Sequence, residues 1–230
     1  MRPYIIWAET RTASAALAAA LRAVSDFPSL EDEPFLYNTP REHTGVYQHW
    51  CRTGDPGPLY RLLEPRPGIK HIAEHFDDNF NAHIAQACNH YGYRHIRLDR
   101  RNLFAQLASR GIAEQLDAWE AETARRKFSK VRQLQPFDIP DLLGKRALAQ
   151  ARWEAVRRHI PKLLDIRTED LTSPSRRLRR AVLKGILHYL QIPLGERAEL
   201  MDDILFRGAQ GTETVLARVP NIGELLMATA

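Results

Sequence analysis

The sequence predicts an α/β fold, a doubly wound, mainly parallel sheet with helices on both faces. Short β-rich apolar runs alternate with longer amphipathic stretches along most of the chain. The first such run is joined to the first amphipathic stretch by a tight turn of small residues, where open α/β sheets bind ligands.

Tyr4 to Ala8, bounded by Pro3 and the Thr10 to Thr12 turn, reads as a buried strand, and Ala13 to Val24 as the helix after it. Residues 27–67 are dense in Pro, Gly, Asp and Asn, which predicts a long irregular excursion with short helical turns. Loops of that length are often functional. Gly68 to Ile72 ("GIKHI") is a short strand, and Asp77 or Asp78 caps a helix ending near Gly92. Tyr93 to Leu98 alternates as a strand. Asn102 to Ala124 predicts one long helix with Phe104, Leu107, Ala108, Leu116 and Trp119 on a shared face, despite Gly111, which costs about 1 kcal/mol there. Ile139 to His159 is a further helical region and Lys162 to Leu171 a fourth strand. Pro174 stands near the first turn of another helix, and "VPNIGELLMA" closes the chain as a short one.

A chain of 230 residues with 44% hydrophobic content sustains one sizeable core, so a single domain over 1–230 is expected, interrupted by the 27–67 excursion. The net charge of +5 suits an anionic ligand without specifying one. Cys51 and Cys88 form no CxxC, and the first residues lack the layout of a secretory signal, which predicts a reducing, cytoplasmic setting. Arg11 and Arg22 bracket the longest apolar candidate, so no transmembrane segment of roughly 18 residues is expected.

The chemistry-bearing residues sit at strand ends. Neither GxxxxGK[ST] nor GxGxxG is present. In "TRTASAAL", however, the small residues Ala13, Ser14 and Ala15 leave backbone N–H groups able to converge on an anion, and Arg11 with the Thr12 and Ser14 hydroxyls adds charge and donors. The same segment also reads as a plain N-cap by Thr12 or Ser14 beside a solvated arginine. A second strand end carries Arg100 and Arg101, with Ser109 two helical turns on. An arginine placed there can fork onto a phosphate, or simply be a solvated helix start.

Together these segments resemble the sulfotransferases. "RTASAAL" resembles the 5′-phosphosulfate loop of the carbohydrate-modifying and bacterial branches, R-[ST]-G-S-[ST]. "LDRRNLFAQLAS" is similar to their 3′-phosphate motif, an arginine followed eight residues later by a serine, as Arg101 and Ser109 are. "IRTEDL" resembles the family's "YEDL" segment, and Arg218 to Leu225 ("RVPNIGEL") its N-x-x-E-L ending. The resemblance implies 3′-phosphoadenosine 5′-phosphosulfate as cofactor, adenosine 3′,5′-bisphosphate as product, and a hydroxyl of a carbohydrate or other small molecule as acceptor. It implies that Arg11, Thr12, Ala13, Ser14 and Ala15 hold the 5′-phosphosulfate and that Arg101 and Ser109 hold the 3′-phosphate. His71, after Lys70, stands where the cytosolic branch has its catalytic base; other branches use a glutamate, which brings in Glu9 and Glu74. Ala13 replaces the loop glycine, tolerable if that residue is helical. Ala15 replaces a hydroxyl residue and Thr168 the tyrosine, so a nucleotide binder without turnover is the alternative.

Two further motifs carry less. "HIAEH" (His71 to His75) fits the inverted zinc-peptidase pattern, which needs a long helix that the flanking glycine, proline and aspartates do not leave room for, and no metal site is expected. "SRRLRRAVLK" lacks the interleaved aromatic residues that stack on bases, so it reads as a solvated face and no nucleic-acid partner is expected.

Overall fold

The computed structural model describes residues 1–27, 33–35, 45–119, 121–207 and 213–230. Strands β1 (Tyr4–Ala8), β2 (Ile69–Ile72), β3 (Arg94–Asp99) and β4 (Leu163–Arg167) form one parallel sheet in the order β2-β1-β3-β4. Helix α1 (Ser14–Val24) follows β1, and α2 (Gly45–Thr53) and α3 (Gly57–Leu63) lie within the excursion. A 3₁₀ turn (Ala73–His75) and α4 (Asp78–His90) lead from β2 to β3. Helices α5 (Leu103–Leu116), α6 (Ala121–Phe128) and α7 (Ile139–Arg157) separate β3 from β4. The chain then runs through α8 (Thr168–Leu171), α9 (Arg176–Tyr189), α10 (Arg197–Arg207), α11 (Glu213–Leu216) and α12 (Ile222–Ala228).

Every residue of β1 is buried, as a central parallel strand covered on both faces must be. Its alternation divides the core. Tyr4, Ile6 and Ala8 pack with Leu17 and Leu21 of α1, Leu183 and Leu187 of α9 and Met201 of α10. Ile5 and Trp7 face the other way, onto Phe80 and Ile84 of α4 and Trp153 and Val156 of α7. Leu17 and Leu21 have no exposed surface, a burial that stabilises by about 1.5 to 3 kcal/mol each. A third cluster joins α5 and α7 to the C-terminal helices through Leu107, Ile112, Leu142 and Leu225.

Several elements differ from the sequence expectation. The helix expected over Asn102 to Ala124 stops at Leu116, because Asp117 turns left-handed at φ 45° and ends it; α6 starts anew. Trp119, expected on the face shared with Phe104 and Leu107, lies beyond that end and is 44% exposed. Gly111 has a positive reason to be glycine: a Cβ there would stand 2.7 Å from Cε1 of Phe137. The fourth strand ends at Arg167, where Thr168 starts α8. Residues 28–32 and 36–44 of the excursion lie outside the described residues, and most of the rest is helical in α2 and α3 rather than irregular. Among the described residues, no helix is long and apolar enough to cross a membrane.

Candidate functional site

The β1–α1 junction is held by side chains from four places. The carbonyl of Glu9 accepts the Thr12 hydroxyl (2.8 Å), that of Thr10 the Gln106 amide (3.1 Å), that of Arg11 the Arg100 guanidinium (3.1 Å) and that of Thr12 the Thr168 hydroxyl (2.8 Å). In a trans peptide the N–H points opposite to the C=O of the same unit, so the N–H groups of Thr10 to Ala13 face away from those donors. Arg11 and Ala13 both sit in the left-handed region, at φ 66° and 60°. For a residue with a Cβ that conformation costs roughly 1 to 2 kcal/mol, and it persists only where the surroundings over-determine it. Ala13 is therefore not helical, as its tolerance had required. It is the N-cap of α1, without a capping side chain and without an acidic residue in the turn that follows. By contrast α4, α5, α7 and α9 start on Asp77, Asn102, Asp138 and Ser175, each accepting a backbone N–H of its own first turn. The first N–H groups of α1 have no intrahelical acceptor.

The second predicted motif meets the first. Arg11 Nε donates to Ser109 Oγ at 2.9 Å across 98 residues of sequence, and its Nη1 donates to the Trp119 carbonyl at 3.1 Å. Burial, then the charge of Arg100, brings the Arg11 pKa down to about 10, which leaves it cationic at neutral pH. Two guanidinium groups so placed favour an anion beside them. Arg101 reaches the same end of the sheet but is exposed; its backbone N–H, with that of Asn102, donates to the Glu169 carboxylate (3.2 and 2.9 Å). Burial raises the pKa of that carboxylate, and the two N–H bonds with Arg100 outweigh it, leaving the pKa below its usual range. Thr12 is fully buried with its hydroxyl on Glu9, so the donor expected to face an anion instead closes the turn. Ser14 is buried and Ala15 exposed.

The two glutamates are differently engaged. Glu9 lies between Gln106 (3.1 Å) and the Arg146 guanidinium, while its Oε1 is buried with no hydrogen-bond partner. Burial raises its pKa, opposed by Arg146. Glu74 is held by Arg110, whose Nη1 lies 3.2 Å from both carboxylate oxygens and 3.0 Å from the Thr10 hydroxyl. Glu9 and Glu74 line a narrow cleft with Trp7, Arg97 and Trp153, of about 10 Å³, room for about one water. Asp99, at the end of β3, binds Arg167 and lies 3.5 Å from Arg97 and 3.7 Å from Arg146.

His71 departs from its expected role. It has no exposed surface, and its ring stacks on Phe76 (4.8 Å) and meets the edges of Trp7 (5.2 Å) and Phe35 (5.9 Å). Asn81 donates its amide to the carbonyls of Ala73 and Phe76, so its Oδ1 accepts the His71 Nε2–H at 2.7 Å. Burial holds the ring neutral, with a pKa near 4. A base must reach the acceptor hydroxyl, and this imidazole is closed inside the core. The inverted zinc motif does not form either, since His71 lies on a strand and His75 in a 3₁₀ turn, where it faces Glu33 at 3.3 Å. Among the described residues, no group of three or more metal-ligating side chains is assembled.

Gln106, Arg110 and Arg146 were not singled out by the sequence reading, which named Arg100 beside Arg101 and Thr168 only as the replacement for the family tyrosine. Gln106 and Arg110 flank Ser109 on the face of α5 that meets the turn, which their spacing alone could have suggested. Arg146 sits mid-helix in α7 with no local signal. Compared with known proteins, the chain matches no family model, and no curated protein matches it at a significant level.

Proposed function

We propose that the chain binds 3′-phosphoadenosine 5′-phosphosulfate and transfers its sulfuryl group to a hydroxyl of a carbohydrate or another small molecule. The observation that carries this reading is the pinned turn, whose four successive carbonyls are each taken by a side-chain donor so that each N–H points away from the donor on its own peptide unit. The resemblance of "RTASAAL" and "LDRRNLFAQLAS" to the cofactor motifs supplies the identity of the anion. Bound, the cofactor supplies an activated sulfuryl group and leaves as adenosine 3′,5′-bisphosphate.

The chain's own part is positioning and charge stabilisation. Arg11 and the N–H groups of Thr12 to Ala15 hold the 5′-phosphosulfate and stabilise charge on the leaving phosphate. Ser109 and Arg101 hold the 3′-phosphate, with Arg100 bracing the turn. Glu9 is the base that accepts the acceptor's proton: it lines the cleft beside the turn, two residues from Arg11, and burial raises its pKa. Glu74, tied by Arg110, is less available.

Thermal unfolding with adenosine 3′,5′-bisphosphate and with 5′-AMP tests this. At a hundred times its dissociation constant the bisphosphate is expected to stabilise by about 2.7 kcal/mol, and 5′-AMP by much less. Equal shifts would remove the 3′-phosphate site. Arg101→Ala is expected to weaken the bisphosphate by about 1.5 to 3 kcal/mol and spare 5′-AMP; if Arg100→Ala does so instead, the 3′-phosphate belongs to Arg100. A binder without turnover is the second reading, favoured by the enclosure of His71. Bisphosphate binding with no sulfated product across a panel of hydroxyl acceptors would support it.

A further inference from the structure

The opposite end of the sheet holds a second cationic site. The amino ends of β1, β3 and β4 lie side by side there, and the chain brings one cation to each: Arg2 just before β1, Arg94 at the start of β3 and Lys162 just before β4. With Asn89, Gly92 and His95 they line an open cleft of about 250 Å³, a space suited to a compact ligand.

Arg94 and Lys162 share one support. The Arg94 guanidinium lies 5.4 Å from the centre of the Tyr189 ring and the Lys162 ammonium 6.0 Å from it, while the Tyr189 hydroxyl donates to the carbonyls of His95 (3.2 Å) and Lys162 (3.3 Å). The cleft has no acidic residue in its lining, and among the described residues none of the three cations pairs with a carboxylate. The carboxyl end differs, since there Arg97, Arg146 and Arg167 all meet Asp99. Arg94 Nε is buried without a hydrogen-bond partner, a donor in want of an acceptor. His95 adds no charge: its Nδ1 accepts the Trp7 indole N–H (3.0 Å), its Nε2–H donates to Asn89 (2.9 Å), and burial holds its pKa near 4.

We propose that this cleft binds a compact phosphate-bearing small molecule carrying two or more negative charges. A single negative charge would leave most of the local excess uncompensated, and phosphate oxygens suit a guanidinium and an ammonium held side by side. The site stands on its own residues and is independent of the function proposed for the turn.

Inorganic pyrophosphate is the probe, titrated into the full-length chain at constant ionic strength while backbone amide resonances are followed. Saturable shifts are expected at Gly92, Arg94 and Lys162, with acetate binding at least tenfold more weakly. Arg94→Gln with Lys162→Gln is expected to weaken the pyrophosphate response there tenfold or more and to leave any response at Thr12 to Ser14 unchanged. Lys162→Gln alone, at an exposed position, is expected to give a smaller loss without unfolding. Shifts reproduced by sodium chloride, shifts confined to the carboxyl end, or an unaltered response in the double variant would each overturn the proposal.

Discussion

Two strand ends of the same sheet drew attention as reaction centres, and they are built in opposite ways. At the end of β1, backbone is strained and pinned, a helix starts without a cap, and two arginines lie together. At the end of β2, a histidine is neutral, hydrogen-bonded to an asparagine and covered by aromatic rings. Strain and an uncapped helix start are unfavourable features, held in place by Thr12 itself and by donors from the residue after β3, from α5 and from α8. An enclosed histidine packed among aromatic rings contributes to stability, and its Nδ1 lone pair, buried without a partner, is out of a substrate's reach. Breaking one end should therefore change ligand binding, and breaking the other should change folding.

The largest expected effect is on the folding side and comes from pH. His71 and His95 have pKa values lowered from 6.5 to about 4, so between those values the unfolded chain binds protons that the folded chain does not. Stability then rises with pH through that window and is lost as pH falls from 6.5 to 4, by about 3 kcal/mol for each histidine and about 6 for both. Urea unfolding at pH 7 and pH 5 checks it, with about 4 kcal/mol expected between them. A His71→Gln variant should lose about half of that dependence. An unchanged slope would mean that His71 is accessible after all.

Next comes His71→Ala, which removes a fully buried ring from among Trp7, Phe35 and Phe76 and leaves the Asn81 oxygen unsatisfied. A loss of about 3 kcal/mol is expected from the cavity and the orphaned acceptor together. Bisphosphate affinity, measured where the variant is folded, should be unaltered. A fully stable variant with lost turnover would restore His71 as the base.

Arg11→Ala is expected to act the other way round. Bisphosphate binding should weaken by about 1.5 to 3 kcal/mol, the worth of hydrogen bonds to a charged group, while stability falls by only about 1 kcal/mol as Ser109 loses its partner. Titration calorimetry and urea unfolding of one sample separate the two. A larger loss of stability than of affinity would make Arg11 a structural tie.

The contrast was half legible in the sequence. Short apolar runs between turn residues and, in β3, alternation locate the four strands, the fourth too long by four residues at its end, and Asp77, one of two caps expected, caps α4, because these signals are local. The sequence reading joined Ser109 to Arg101, whereas the structure gives its hydroxyl to Arg11, a long-range contact with no local signal. His71 was misplaced because its surroundings are assembled from distant chain: Trp7 comes from β1, Phe35 from the excursion and Asn81 from α4. Ion networks such as Glu9 with Arg146 leave no periodicity to read. Helix α10 was not anticipated, since its buried face of Ala198, Met201 and Leu205 acquires meaning only against α1 and α9.

The smallest expected effect tests the strain itself. Ala13 has φ 60° and ψ 20°, a conformation glycine adopts without steric cost, and it occupies an N-cap position where glycine is favoured over alanine. Ala13→Gly relieves roughly 1 to 2 kcal/mol of left-handed strain and gives back part of it through the greater freedom of the unfolded chain, for a net gain of about 1 kcal/mol. The N–H groups keep their directions, because the carbonyls that fix them are held by Thr12, Gln106, Arg100 and Thr168, and bisphosphate affinity should stay the same or rise slightly. Glycine within an ordinary helix turn would destabilise by a similar amount, so the sign of the change separates a strained N-cap from a helical one. A destabilised Ala13→Gly variant would mean that Ala13 is helical in solution, and the turn would lose the geometry on which the directions of its N–H groups depend.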